Sequence, residues 1–216
     1  KWTFKPVLVG KFGEELLWRH AARIIGMSAT ILNPVQLARN IGLSSPGYVQ
    51  TPCTFSPVRR PIYYLPSASL SYKRSAESLP LVGQEVVRIL DRHKNDKGLI
   101  HTVSYKVAAF LHDMHLPRLT FHTTETRGDV LLQFKLSAQP LVLVSPSMER
   151  GVDLPQEECR FIVICKVPYP NLGDPRVVKR LYGCRDGRLW YMYRTVQSLI
   201  QMCGRGMRSK DDYCVC

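Results

Sequence analysis

The feature of this sequence that most constrains its fold is a set of short, continuous apolar runs. Residues 140–144 read PLVLV and residues 161–165 read FIVIC. Such runs are typical of strands buried on both faces of a parallel sheet, because a face open to water would carry alternating polar residues. Amphipathic patterns at helical spacing alternate with these runs along the chain. We therefore predict an α/β fold: an open, mainly parallel sheet with helices on both faces.

The hydrophobic patterns place the elements in order. Asn33 followed by Pro34 predicts a helix start, since asparagine caps the first turn and proline fits the first helical position. Strands are predicted at residues 23–27, 61–65, 98–103, 119–122, 140–144, 161–167 and from 213 onward, and helices at 34–41, 76–93, 105–114, 127–136, 177–185 and 190–206. Ligands of open parallel sheets gather at the carboxyl ends of the strands. Functional residues are therefore expected in the loops that follow the strands.

The charge balance points to a polyanionic partner. Thirty Lys and Arg residues against seventeen Asp and Glu give a formal net charge of +13. Nucleic acid is the expected partner ahead of a membrane surface, and a solvated basic surface without a partner is the alternative. No apolar run reaches the length of a membrane span and no signal peptide is visible. We expect a cytoplasmic (nucleoid-associated) or nuclear protein, neither secreted nor bound to a membrane.

The seven cysteines form no CxxC pair and are irregularly spaced. This pattern indicates neither a disulfide framework nor a zinc or iron–sulfur site. Reduced thiols in a cytosolic protein are expected, and no metal site is predicted.

Three polar side chains recur at helical spacing near the end of the chain. Gln201, Arg205 and Arg208 stand at i, i+4 and i+7 of a helix predicted to end near Gly206, so they would form one stripe. Gly204 and Gly206 beside them would let a partner approach the backbone. Guanidinium groups match phosphate oxygens and stay charged at any working pH, which suits an oxyanion ligand. A solvated helix face is the alternative.

A wider set of motifs resembles the superfamily 2 helicases of the XPD-like and DinG-like branch. Residues 201–208, of the pattern QxxGRxxR, resemble the sixth helicase motif, and SKDDY at 209–213 resembles its continuation in that branch. The other resemblances are SATI at 28–31 to the third motif, GLIHTVSY at 98–105 to the fourth, MERGVDLP at 148–155 to the fifth, and VPYPNLGDPRV at 167–177 to the segment that follows. The motifs occur in the family's order. Gly206 departs from the small apolar residue common there.

This resemblance implies a RecA-like second helicase lobe and a role for each matching residue. Gln201, Arg205 and Arg208 would be catalytic, and Gly151, Asp153 and Gly204 would lie near the nucleotide. The residues implied to contact nucleic acid are Thr102, Ser104, Tyr105, Lys106 and Ser147, and those implied to couple nucleotide state to DNA grip are Ser28, Ala29 and Thr30. Structural alternatives remain open for several, such as a helix cap at Ser104 or a plain turn at Asp153.

The resemblance also divides the chain and names its partners. Residues 1–41 would be the tail of a first motor lobe, 42–57 a crossover and 58–216 the second lobe. The sequence holds no GxxxxGK[ST] phosphate loop and no DEAH-like tetrad. ATP and Mg²⁺ would therefore be bound mainly by the first lobe, and this chain alone is expected to be inactive. The whole protein would be an ATP-dependent DNA helicase moving 5′→3′ on single-stranded DNA.

Two other functions compete with the helicase interpretation. One is a non-catalytic nucleic-acid-binding or scaffold module that kept the lobe and lost its motor. The intact arginine stripe argues against it. The other is an unrelated α/β phosphate-binding enzyme such as a kinase, which the absence of a phosphate loop disfavours.

Overall fold

The computed structural model describes residues 5–71, 74–146 and 153–216. The helices are α1 (Gly10–Leu16), α2 (Pro34–Ile41), α3 (Ser75–Arg92), α4 (Tyr105–Asp113), α5 (Arg127–Leu136), α6 (Pro175–Gly183) and α7 (Gly187–Cys203). The strands are β1 (Gly98–His101), β2 (Leu119–Phe121), β3 (Val142–Ser145) and β4 (Phe161–Ile164). None of the helices in the described ranges is long and apolar enough to cross a membrane.

The chain separates into two compact units, which are described in turn. One unit, which we call the sheet unit, comprises residues 53–167 and 201–216; the other, the helical unit, comprises residues 1–52 and 168–200. Both units therefore contain segments that are distant in sequence. The division of the chain into first-lobe tail, crossover and second lobe stays a prediction.

The sheet unit is built on four parallel strands in the order β2-β3-β1-β4. His101 at the end of β1 is opposite Ser145 of β3 and Ile164 of β4, so the three strands end in register. This arrangement confirms the predicted α/β fold with a mainly parallel sheet. Every residue of β1 and β3 is buried, as their continuous apolar runs indicate.

Helices cover both faces of the sheet, because successive side chains of each strand point to opposite sides. Ile100 of β1 packs in one core cluster with the apolar stripes of α3 and α4, which include Val86 and Leu111. Leu99, its neighbour in β1, packs in a second cluster with Phe134 of α5. The sheet is thus enclosed between two apolar layers, so polar groups that could bind a ligand are expected at its edges.

Two expected strands do not form. Residues 23–27 have no strand pairing in the structure, and Ile25 and Met27 are 89% and 93% exposed. Residues 61–65 form no regular strand either, although Tyr63 N donates to Cys216 O (2.7 Å) and Cys216 N donates to Pro61 O (3.0 Å). An apolar run predicts a strand only where a sheet edge is available to pair with it, and sequence does not reveal that edge.

The helical unit is held together by capping and by a charged cluster. Asn33 caps α2 as predicted, since its side chain accepts a hydrogen bond from Gln36 N at 2.8 Å. The guanidinium of Arg180, which is 4% exposed, pairs with Asp186, and Gln36 Nε2 donates to the same carboxylate. The hydrogen bond from Arg180 lowers the pKa of Asp186 to about 2. A buried arginine with these partners is structural, because leaving its charge unpaired would be costly.

Candidate functional site

Polar side chains gather at the carboxyl edge of the sheet. Thr102 directly follows β1, and its backbone N–H donates to Ser145 O at the end of β3 (3.0 Å). His122, just after β2, places Nε2 2.9 Å from Ser145 Oγ. Three strand ends therefore present hydroxyl and imidazole groups at one edge, which is where open parallel sheets bind ligands.

His101 is the most strongly perturbed group at this edge. Its side chain is 1% exposed, and burial together with the positive charge of Arg205 lowers its pKa from 6.5 to about 4. Neither His101 Nε2 nor Thr102 Oγ1 has a hydrogen-bond partner among the described atoms. Two buried polar atoms without partners are uncommon in a folded protein and mark this strand end as unusual. Sequence reasoning did not single out His101. The signal that could have identified it is a histidine as the last residue of an otherwise apolar strand.

The loop that connects β1 to α4 contains a strained residue. Val103 adopts a φ of 56°, in the left-handed region that β-branched residues rarely occupy. Such conformations cost on the order of 1–3 kcal/mol and concentrate at functional sites. The strained position lies directly between Thr102 and Ser104, two of the residues predicted to contact nucleic acid.

The predicted arginine stripe does not lie on one continuous helix. Helix α7 ends at Cys203, a 3₁₀ turn covers Gly204–Gly206, and Arg208 lies beyond both. Of the three residues predicted at i, i+4 and i+7 of one helix, only Gln201 lies on α7, in its last turn, where it is half-buried. The helix ends early because glycines at 204 and 206 disfavour its continuation.

Arg208 is held by a carboxylate and by backbone oxygens. Its Nε contacts Asp153 Oδ1, and its Nη1 donates to Gly204 O (3.1 Å) and Met207 O (3.0 Å). The side chains of Arg208 and Asp153 are 34% and 66% exposed. The structure therefore brings together two residues that were predicted from different motifs. A partly exposed ion pair of this kind contributes little to stability.

Gly204 and Gly206 differ in what surrounds them. A Cβ on Gly206 would lie 2.4 Å from Cys214 Sγ and 2.8 Å from Cys159 O, whereas a Cβ on Gly204 would meet nothing within 4 Å. The close approach at Gly206 is thus made by the protein's own core. The predicted approach of a partner to the backbone remains possible only at Gly204.

Asp212 organises the segment that follows the arginines. Its buried carboxylate pairs with Arg160 (2.8 Å) and accepts hydrogen bonds from the backbone N–H groups of Arg208 (3.2 Å), Gln156 (3.1 Å) and Tyr213 (3.0 Å). Arg160 also lies over the ring of Tyr213, 4.2 Å from its centroid. Sequence reasoning assigned no role to Arg160 or Asp212, although Asp212 lies within the SKDDY segment that carried part of the resemblance.

The remaining predicted nucleic-acid residues lie at the start of α4 or outside the described residues. Ser104 precedes α4 and makes no side-chain cap bond, so the alternative reading as a serine cap is not observed. Tyr105 is 75% exposed and Lys106 is exposed. Ser147 and Gly151 lie outside the described residues. No group of three or more His, Cys, Asp or Glu side chains in the described ranges is placed to hold a metal ion.

The predicted coupling residues belong to the helical unit. Ala29 and Thr30 lie in a turn, and Ser28 Oγ accepts a hydrogen bond from Thr30 N at 3.2 Å. Thr30 is 7% exposed, and its carbonyl accepts a hydrogen bond from Gln197 Nε2 of α7 at 3.3 Å. These contacts tie the SATI segment to α7.

A cavity of about 730 Å³ in the helical unit is lined by arginine and aromatic side chains, among them Arg176, Arg180, Trp190 and Tyr193. Arg176 and Arg180 are paired with Asp174 and Asp186. The exposed Arg194 also lines this cavity, and it donates to the neutral side chain of Gln197 at 2.7 Å. Two of the three lining arginines are thus neutralised within the unit, which makes the cavity a weaker candidate for an anionic ligand than the carboxyl edge of the sheet.

Comparison with known proteins identifies the family and the fold of the chain. The family model described as "Helicase C-terminal domain" matches residues 92–216. Two curated relatives, the Regulator of telomere elongation helicase 1 homologs of Caenorhabditis elegans and Caenorhabditis briggsae, are each 30% identical over 86 residues. Each match covers 34% of this chain and 9% of the relative, so the chain spans only a small part of these proteins.

Solved structures share the fold. The S. tokodaii Xpd4 structure is 20% identical with a TM-score of 0.53, and the match covers 71% of this chain and 32% of that one. The structure XPD_APO is 15% identical with a TM-score of 0.59, covering 69% of this chain and 33% of that one. At such identities the likeness concerns the fold.

Proposed function

This chain belongs to the helicase C-terminal domain family, and from that premise we propose that it is the second motor lobe of an ATP-dependent DNA helicase. The proposed role is to supply Arg205 and Arg208 to the terminal phosphate of a nucleotide held mainly by a first lobe. The lobe would also form part of a track for single-stranded DNA and move along it 5′→3′.

One observation carries this proposal: at the carboxyl end of β1 the buried His101 and Thr102 have polar atoms without hydrogen-bond partners among the described atoms, and burial together with the charge of Arg205 lowers the pKa of His101. This is the edge of a parallel sheet at which ligands bind. Because His101 has a pKa of about 4, its imidazole is neutral at physiological pH and its unprotonated nitrogen adds no charge. Arg205 therefore carries positive charge at a strand end that also holds a buried hydroxyl, Thr102. That combination favours an oxyanion.

The proposed residues suit a nucleotide phosphate, and none of them is assigned to the base or the sugar. Guanidinium groups can bind phosphate oxygens in a fixed fork geometry. Bound ATP would supply the phosphoryl group whose developing negative charge the arginines stabilise, a contribution of roughly 10³–10⁵ in rate for an arginine finger. The sequence has no phosphate loop, so the triphosphate and Mg²⁺ are assigned to the other lobe. Gln201, Gly204 and Gly151 are proposed to border the same phosphate.

We propose that Asp153 holds Arg208 in position before the nucleotide binds. Its carboxylate contacts Arg208 Nε while most of its own side chain is exposed. A terminal phosphate group carries more negative charge than one carboxylate and would compete for the same guanidinium. We therefore assign Asp153 the role of orienting Arg208 until the phosphate takes its place.

The nucleic-acid track is assigned to the start of α4. Tyr105 and Lys106 are exposed on its first turn, next to Ser104 and the strained Val103. A cation and hydroxyl groups can hold the phosphates of a single strand, and an exposed aromatic ring can stack on a base. Ser147 would extend this track, and Ser28, Ala29 and Thr30 would couple it to the nucleotide, as the resemblance implies.

The test uses the whole protein that contains this lobe. Arg205→Ala and Arg208→Ala should each lower DNA-stimulated ATP hydrolysis by roughly 10³-fold or more while changing the affinity for single-stranded DNA little. Lys210→Ala is the matched control, since Lys210 is an exposed cation in the same segment. Fluorescence anisotropy with labelled DNA and a phosphate-release assay give the two readouts.

The opposite pattern would reverse the assignment. If the arginine variants lose DNA binding and keep hydrolysis, the arginines belong to the DNA track. If wild-type protein hydrolyses no ATP but binds DNA, the scaffold interpretation replaces the motor. The 216-residue chain by itself is expected to show no measurable hydrolysis, and robust DNA-stimulated ATPase activity from it would contradict the division of labour between lobes.

A further inference from the structure

A pair of cysteine thiols lies directly beside the arginine segment. Cys203 is the last residue of α7, and Cys216 lies thirteen positions later; the Cys216 thiol donates to Cys203 Sγ with a sulfur–sulfur distance of 3.4 Å. All seven cysteines are free, and both members of this pair are only partly buried. Two sulfur atoms this close need only a small further approach to form a bond.

The two thiols are chemically unequal. The hydrogen bond from Cys216 stabilises a thiolate on Cys203 and lowers its pKa, and the same contact together with burial raises the pKa of Cys216. The thiolate is the reactive form of cysteine towards oxidants. Cys203 is thus the sulfur that reacts first, and Cys216 is positioned to react second.

We propose that Cys203 and Cys216 are a redox modification site that closes a reversible disulfide when the protein meets a hydroperoxide. The Cys203 thiolate attacks one oxygen of hydrogen peroxide and breaks the O–O bond, which forms Cys203 sulfenic acid and releases hydroxide. The hydroxide then takes up the proton that the Cys203 thiol had lost, and becomes water. Cys216 sulfur then attacks the sulfenic sulfur and forms the S–S bond. The departing hydroxide takes the Cys216 proton and leaves as a second water. Two electrons pass from the sulfurs to the peroxide.

The other thiols provide an internal contrast. Cys159 and Cys214 are 0% and 2% exposed, and the pKa of Cys159 is raised well above its usual value by its hydrogen bond with Cys214 and by burial. Burial also raises the pKa of Cys165 to about 12. Cys159 and Cys214 are shielded by burial, and the raised pKa values of Cys159 and Cys165 disfavour their thiolates. Oxidation should therefore select the Cys203–Cys216 pair over these three thiols.

The disulfide would enclose the arginine segment in a covalent ring. The twelve residues between the two cysteines include Arg205, Arg208 and Asp212. The far end of this ring is fixed to the sheet, because Val215 pairs with Phe161 of β4 and Cys216 bonds to Pro61 and Tyr63. Oxidation therefore restrains the end of α7, from which Arg205 directly follows. Formation of this disulfide does not depend on the proposed helicase function.

The first experiment maps the disulfide in a Cys53→Ser background, which removes an exposed thiol. The folded 216-residue chain is treated with hydrogen peroxide, its remaining thiols are alkylated after unfolding, and the digest is analysed by mass spectrometry. The expected product is a Cys203–Cys216 cross-linked peptide that dithiothreitol reverses and that forms at least about ten-fold faster than any Cys159–Cys214 cross-link, since thiolate content and access set the rate. A Cys159–Cys214 cross-link forming first, or overoxidation of Cys203 without a cross-link, would overturn the proposal.

Single variants test the order of the two steps. In Cys216→Ser, the Cys203 sulfenic acid should persist and be trapped by dimedone; in Cys203→Ser, dimedone labelling at Cys216 should be absent. Thermal unfolding under reducing conditions establishes that each variant is folded. Labelling of Cys216 in Cys203→Ser at the wild-type rate would contradict the assigned roles.

A measurement on unmutated protein tests the restraint. Hydrogen–deuterium exchange of residues 204–212 should slow on oxidation and recover on reduction. Unchanged exchange in a fully cross-linked sample would show that the disulfide does not restrain the arginine segment.

Discussion

Replacing Asp212 by asparagine should destabilise the sheet unit strongly while leaving side-chain volume unchanged. The Asp212 side chain is fully buried and pairs with Arg160, whose side chain is 9% exposed. Removing one partner of a buried ion pair costs about 3–5 kcal/mol, because the other charge loses its compensation in a poorly solvated site.

Two features of the structure reduce that figure. Arg160 keeps a second partner, Glu157, although the Glu157 side chain is 84% exposed and therefore compensates weakly. The asparagine oxygen can also accept some of the three backbone hydrogen bonds that Asp212 accepts from Arg208, Gln156 and Tyr213. We therefore expect a loss of about 2–4 kcal/mol in the free energy of unfolding. For a chain of this size that corresponds to a fall in Tm of roughly 5–15 °C.

The neighbouring Asp211 is the matched control. Its side chain is exposed, and its structural contact is made by the backbone carbonyl, which accepts from Arg59 Nη1 at 2.6 Å and survives the substitution. Asp211→Asn should change stability by less than about 0.5 kcal/mol. Urea unfolding followed by circular dichroism measures both variants. Equal stability of the two variants would refute the claim that the buried Arg160–Asp212 pair holds this segment in place.

Two further predictions concern the same region. Gly206→Ala should lower the free energy of unfolding by about 1–3 kcal/mol, because the added Cβ would collide with Cys214. Gly204→Ala is the control: its Cβ has open space, so the free energy of unfolding should change by less than about 0.5 kcal/mol. Thermal denaturation compares the two variants, and equal melting temperatures would contradict the packing role of Gly206. His101, with a folded pKa of about 4 against 6.5 when unfolded, binds fewer protons in the folded state between those values. Its stabilising contribution is therefore complete above about pH 6.5 and is lost as pH falls towards 4, by about 3 kcal/mol. Urea unfolding across pH 4–7 should show a shallower pH dependence for His101→Gln than for the unmutated chain. An identical dependence would show that folding does not lower the pKa of His101.

The sequence was most informative where local patterns and burial agreed. Helix α5 spans Arg127–Leu136 and α2 ends at Ile41, both at the predicted bounds. The buried strands also form where continuous apolar runs predicted them, with differences of at most three residues at their ends. These elements are specified by periodicity, capping and full burial, all of which are visible in a single sequence.

The errors arose where the outcome depends on distant partners. Residues 23–27 carry an apolar run that pairs with no sheet edge in the described structure, so a strand pattern alone misled. Helix α7 was predicted to reach Gly206 and ends at Cys203, because the glycines at 204 and 206 disfavour its continuation. The contact between Arg208 and Asp153 joins residues 55 positions apart and could not be located from spacing alone.

The segment from Gly204 to Asp212 contains residues that the fold requires and residues that contribute little to stability. Asp212 is fully buried and Gly206 has no room for a side chain, so both are explained by packing. The partly exposed Arg208–Asp153 pair contributes little to stability. Burial, together with the positive charge of Arg205, lowers the pKa of His101 and so keeps a second positive charge out of the interior. The proposed anion site would thus draw its preorganisation from neighbouring residues that packing requires. Substitution of the arginines should therefore separate activity from stability, whereas substitution of Asp212 or Gly206 should lower both together.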